Sequence, residues 1–126
     1  MDNSKLIYKE ESFRIIGLCM EVHRELGHGF LEIVYKDALE LLFRQHGIPF
    51  KREKEYDITF QGVVLPHKFY ADFVVYDKII LEIKAGTGLH DEHIAQTLNY
   101  LKASKNRLGL LINFGRLQLE YKRLIF

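Results

Sequence analysis

The chain has 126 residues, of which 48% are hydrophobic, 13% aromatic and 28% charged, with a formal net charge of +1. That length suits one domain with a real core, and no run approaches the roughly 18 consecutive apolar residues of a membrane-spanning helix. A near-neutral balance removes the globally basic surface that would announce a nucleic-acid partner, leaving local clusters at Lys51, Arg52 and Lys54, at Lys102, Lys105 and Arg107, and at Arg116, Lys122 and Arg123.

The opening residues Met1 to Lys5 lack the basic-then-apolar pattern of a secretory leader. The single cysteine, Cys19, has no partner for an internal disulfide and stands at an apolar position of a predicted helix. One domain over 1–126 in the reducing cytoplasm is the expectation.

Ile15, Leu18, Cys19, Val22 and Leu26 recur at helical spacing and predict an amphipathic helix over ~10–26, closed by Gly27-His28-Gly29. A second helix is expected over ~31–46. Leu31, Val34, Ala38, Leu41 and Leu42 form its buried stripe, and Gly47 and Pro49 stop it. The period then shortens to two. Strands at ~51–60 and ~63–76 flank a Gln61-Gly62 turn, the second interrupted near Pro66. Asp77-Lys78 turns the chain into a β-rich run at 79–85, and Gly86 and Gly88 open a loop before a third helix at ~91–104. Leu108 to Phe114 is apolar but for Asn113, as in a strand buried on both faces, and ~117–125 is the last strand. The order ααβββαββ argues an α/β (α+β) class, a mixed sheet flanked by helices.

Side chains alternate across a strand, so Ile80, Glu82 and Lys84 share one face of 79–85 and Ile79, Leu81 and Ile83 the other. An isolated Glu-x-Lys is most simply a solvent-facing ion pair. Asp72 changes that. It is the lone charge in Phe69-Tyr70-Ala71-Asp72-Phe73-Val74-Val75, and burying a single carboxylate is costly unless something pairs with it. Across a tight turn it can meet Glu82 and Lys84, giving two carboxylates for a divalent cation beside one ammonium. A two-residue loop at 77–78 would set Asp72 against Ile83, on the wrong face. A three-residue loop or a β-bulge is therefore expected.

Glu32 and Tyr35 are neighbours on one face at the start of the second helix, where Glu32 also complements the helix dipole. Gln96 and Tyr100 share a face of the third helix, either as an ordinary surface pair or to orient a lysine or a phosphate. His90 and His93 lie one turn apart without further ligands, so zinc is not expected, and His23, His28, His46 and His67 are scattered.

In order along the chain, Gly29-x-x-Glu32-x-x-Tyr35, Asp72, Glu82-x-Lys84, Gln96-x-x-x-Tyr100 and Leu110-Leu111-Ile112-Asn113-Phe114-Gly115 resemble the GxxExxY protein family of the PD-(D/E)XK nuclease superfamily. The likeness runs from about residue 10 to the C-terminus. It implies a restriction-endonuclease-like core and a metal-dependent nuclease that hydrolyses phosphodiester bonds. DNA is the expected nucleic acid, and Mg²⁺ or Mn²⁺ the cofactor. It also implies that Asp72 and Glu82 are the metal-binding acids, Lys84 the superfamily's lysine, Glu32 the acid from the helix before the sheet, and Gln96 with Tyr100 the downstream helical motif. Ala71 stands where the superfamily name has proline, and His28 interrupts the glycine pair where proline is expected; neither change touches a ligand.

The expected catalytic set is thus Glu32, Asp72, Glu82 and Lys84. The metal set is Asp72, Glu82, the Ile83 carbonyl and Glu32, and Tyr35, Gln96 and Tyr100 position substrate. A non-catalytic nucleic-acid- or protein-binding module of the same fold is the rival reading. A metal-dependent hydrolase acting on something other than nucleic acid is a third. The small size leaves substrate recognition to a homodimer or a protein partner.

Overall fold

The structure, a computed structural model, describes residues 7–126; the Met1–Lys5 segment lies outside them. Two helices come first, α1 (Lys9–Leu26) and α2 (Glu32–Gln45). Five strands follow: β1 (Phe50–Tyr56), β2 (Thr59–Phe60), β3 (Val63–Val64), β4 (Phe69–Val75) and β5 (Ile79–Lys84). The chain closes with α3 (Asp91–Ser104), β6 (Leu108–Asn113) and β7 (Glu120–Ile125). A mixed sheet runs β1-β4-β5-β6-β7, antiparallel except for the β5–β6 pair. That pair is parallel because α3 carries the chain back over the sheet between its strands. No helix among the described residues is long and apolar enough to cross a membrane.

Alternation sorts the strand residues onto two faces. Phe73, Val75, Ile79, Leu81, Ile83, Leu108, Leu110 and Ile112 join α1 and α2 in the main core. Ala71, Val74 and Ile80 join Leu101 of α3 in a smaller cluster on the other face. Helices therefore cover both sides, which is why β5 and β6 read as near-continuous apolar runs. Gly109 brings α3 close to the sheet: a Cβ there would stand 3.0 Å from Thr97 Cγ2 and 3.4 Å from Leu101.

Two sequence expectations are corrected. The stripe of α2 is Tyr35, Leu39 and Phe43, with Ala38 and Leu42 beside it, while Leu31 and Leu41 are exposed. Apolar residues occur all round this helix, so spacing alone leaves its phase open. The aromatic partners decide it: Tyr35 stacks on Phe114 at 4.5 Å and Phe43 meets Phe73 edge-on at 5.4 Å. The second correction concerns the segment 57–68. Its residues leave the main sheet and form a separate β2–β3 hairpin around Gln61 and Gly62, both at positive φ (51° and 77°), as a two-residue hairpin turn requires. The order is thus ααβββββαββ, the mixed sheet flanked by helices being as expected.

Candidate active site

The β4–β5 turn places the acids. Val75 pairs with Ile79, so the loop is the three residues Tyr76, Asp77 and Lys78, the first two at positive φ (55° and 61°). Continuing the register beyond Phe73↔Leu81 brings Asp72 opposite Glu82, the common placement the sequence required.

At this point the ladder gives way to side chains. The Asp72 amide donates to Glu82 Oε2 at 2.8 Å, and the Ile83 amide donates to Asp72 Oδ2 at 2.7 Å. The sheet also twists here. Ala71 and Val74 both join the α3-side cluster while Phe73 faces α1 and α2, so strict alternation fails at Asp72. In the neighbouring strand, Arg52↔Phe73 and Lys54↔Ala71 set Glu53 across from Asp72, and Glu53 takes a left-handed φ of 53°. Such a conformation is uncommon for a residue with a side chain and marks the place as built rather than regular.

Burying two acids side by side has an electrostatic consequence. Glu82 is 3% exposed. Burial first, and then the neighbouring charge of Asp72, push its carboxyl up to about 8, against the lowering pull of the Asp72 amide, Lys84 and Lys36. Lys84 follows two residues along β5, half-buried, and its charge acts on Glu82.

The ammonium that touches Asp72 is Lys36. From α2 it donates to Asp72 Oδ1 at 3.1 Å and to Glu53 Oε1 at 2.5 Å, with its side chain 12% exposed. Burial lowers its proton affinity, but the two carboxylates outweigh that and hold it above the usual lysine range. Sequence reasoning missed both Lys36 and Glu53. With the α2 stripe on Tyr35, Leu39 and Phe43, Lys36 falls at its edge, a phase that apolar spacing alone leaves open.

The other expected residues are dispersed around this centre. Glu32 is exposed on the first turn of α2, one turn before Lys36 on the same face. Tyr35 is fully buried; its hydroxyl donates to the Gly27 carbonyl at 2.7 Å and accepts from the Phe30 amide at 3.2 Å, bracing the α1–α2 turn. Gln96 is exposed on α3, and Tyr100 stacks on Phe69 at 4.2 Å. The Tyr100 hydroxyl is pushed up by burial, then by the charges of Glu82 and Asp72, so it lies within the field of the acid pair.

A further device fixes the end of β5. Buried Asn113, at the end of β6, accepts from the Gly86 and Gly115 amides (2.9 and 3.1 Å) and donates to the Gly86 carbonyl and Glu120 (3.2 and 2.9 Å). The Phe114 amide donates to the Lys84 carbonyl at 2.8 Å. Gly115 lies so close to this segment that a Cβ would collide with the Gly86 main chain and stand 2.6 Å from the Ala85 carbonyl carbon. Lys84 therefore sits on a strand end clamped by Asn113, Phe114 and Gly115.

The donor set suits a hard divalent cation. Two carboxylates are held together, one forced well above its ordinary range by burial and then by its neighbour's charge, and a cation relieves both. Among the described residues no three Asp, Glu, His or Cys side chains converge, so the chain offers two carboxylates and Glu32 stands outside them.

Paired acids where the strand departs from its ladder, with a lysine two residues on, form the candidate site. The family model of the PD-(D/E)XK nuclease superfamily matches residues 9–124, and the chain belongs to that superfamily. In shape it is similar to the crystal structure of SSO0001 (TM-score 0.59, 22% identity, covering 73% of this chain and 48% of that one). It is also similar to an alkaline exonuclease, LHK-Exo, from Laribacter hongkongensis (TM-score 0.50, 14% identity, 68% and 51%). The chain thus spans about half the length of either. No curated protein matches it by sequence.

Proposed function

We propose that this chain is a Mg²⁺- or Mn²⁺-dependent nuclease that hydrolyses phosphodiester bonds, with DNA as the substrate. The observation that carries this reading is the mutual tie between Asp72 and Glu82, which holds two acids together at a cost that a binding module has no need to bear. A bound divalent ion would lower the pKa of its water and neutralise charge on the phosphoryl oxygens. Asp72 and Glu82 would hold it, with the Ile83 carbonyl beside them.

The chain's own residues do the rest. Lys84, held at the clamped end of β5, stabilises charge developing on the scissile phosphate. Lys36 pairs with Asp72 and holds it correctly turned. Glu32, exposed one turn before Lys36, acts from the rim through water. Gln96 and Tyr100 position the strand from α3. A second copy or a protein partner completes substrate recognition in this reading. The buried free Cys19, whose thiol burial pushes up, accords with a cytoplasmic setting.

The test is a cleavage screen over single-stranded, duplex and branched DNA and RNA with Mg²⁺ and Mn²⁺, beside Glu82→Ala and Lys84→Ala. Divalent-dependent cleavage by the wild type and its loss in both folded variants is the expected result. Undiminished activity in either variant refutes the assignment.

A further inference from the structure

A groove along α3 includes Gln96 and Tyr100, and its other lining residues have no role in the mechanism above. Along α3, residues 92, 95, 96, 99, 100 and 103 form one stripe facing away from the core contacts of Thr97 and Leu101. The side chains at 95 and 103 are alanines, which leaves room. Ile58, just before β2, and Phe69 close the other side, enclosing about 580 Å³. Its aromatic lining is Phe69 and Tyr100, near-parallel rings at 4.2 Å, with Tyr56 stacked behind Phe69 at 5.1 Å.

Polar groups stand at its mouth. Gln96 and Asn99 present amides, each with donor and acceptor atoms, and both are exposed. The groove continues past Asn99 into a second depression lined by Lys102 and Lys105, where Asp57 is already bound to Lys68 at 2.5 Å. The opposite rim carries the acid Glu92, so positive charge lies at one end only. Tyr100 joins this groove to the site itself, since its hydroxyl feels Glu82 and Asp72.

We propose that the groove between α3 and the β2–β3 arm receives an unpaired base of a nucleic-acid strand, Gln96 and Asn99 bonding its edge, Tyr100 contacting its ring, and Lys102 and Lys105 meeting the adjoining phosphates. A paired base could not enter, because its edge and faces are occupied by its partner and stacked neighbours. The inference rests on the nuclease reading and narrows its substrate to single-stranded ends, flaps or loops.

The experiment is fluorescence anisotropy with a labelled oligothymidylate and a labelled blunt-ended duplex of two separate strands, in EDTA and in Ca²⁺. Wild type is compared with Ala95→Trp, which fills the groove from an exposed position, and with the less bulky pair Asn99→Asp and Lys102→Glu. Circular dichroism establishes that each folds. Wild type should prefer the single strand, and each groove variant should lose about tenfold in affinity for it, the loss of one stacked and bonded base, with duplex binding changed much less. Equal binding of single strand and duplex by wild type, or indifference of all the groove variants, overturns the inference. If duplex is cleaved in a Glu82-dependent way in that case, the nuclease reading survives. If neither nucleic acid is bound or cleaved, both fall.

Discussion

Asp72 and Glu82 each accept a main-chain hydrogen bond from the other's strand: the Asp72 amide donates to Glu82, and the Ile83 amide next to Glu82 donates to Asp72. Side-chain oxygens thus occupy places that carbonyls fill elsewhere in the ladder. The acids are fixed by the backbone before any ligand arrives, and their repulsion is built into the fold.

That repulsion makes the stability of the metal-free protein depend on pH. The folded-state value of Glu82, about 8, lies above its ordinary 4.5, so the folded protein retains a proton that the unfolded chain releases between those values. The stability linked to this proton is complete below about pH 4.5 and is lost as pH rises through about 8. The loss is on the order of 2–4 kcal/mol. Glu82→Gln should flatten this slope and match or exceed wild type at pH 8 in EDTA. Urea unfolding at a series of pH values checks it, and an unchanged slope in the variant would count against the pair as described.

Lys36 lies where a cation bound to Asp72 would also be drawn. Lys36→Met should destabilise the metal-free protein by about 2–4 kcal/mol, because it leaves a half-buried carboxylate unpaired. It should also enlarge the rise in melting temperature that Mg²⁺ produces. Weaker Mg²⁺ binding by the variant in calorimetry would show instead that Lys36 helps assemble the ion site.

The clamp on β5 predicts a contrast between two glycines. Gly115→Ala drives a methyl group into the Gly86 main chain, which cannot swing aside, and should cost about 3 kcal/mol or prevent folding. Gly88→Ala meets nothing nearer than His90 Cε1 at 3.9 Å and should be nearly silent. Denaturation midpoints decide, and equal effects would mean that the close approach is not rigid.

Tyr35 offers a separation of structure from substrate handling. Tyr35→Phe removes the hydroxyl that bridges Gly27 and Phe30 and should cost about 1–2 kcal/mol while leaving cleavage per folded molecule intact. A stable variant with lost activity would restore the residue to the substrate.

Much of this was legible from the sequence because it follows from period and cost. Asp72 as a lone charge in an apolar strand required a partner, and the demand for a common face with Glu82 called for a three-residue loop or a β-bulge, of which the register shows the loop. What stayed hidden depends on elements far apart in the chain. Lys36 reaches Asp72 only if α2 turns Tyr35 toward Phe114, and an all-round apolar helix does not reveal its rotation. Asn113 and Gly115 read as the end of a buried strand. Their grip on Gly86 appears only once β6 lies parallel to β5. The hairpin at 59–64 escaped because two short strands with a good turn between them look like continuations of their longer neighbours.

The two outer strands carry a lesson about association. β1 reads Phe-Lys-Arg-Glu-Lys-Glu-Tyr and forms one margin of the sheet, with Arg52 held by Asp37 at 2.8 Å, while β7 forms the other with Lys122 and Arg123. Alternating charges along an open margin repel a neighbouring chain's strand and discourage runaway polymerisation. The basic letters near residue 51 are therefore better understood as a fence against strand pairing than as a landing strip.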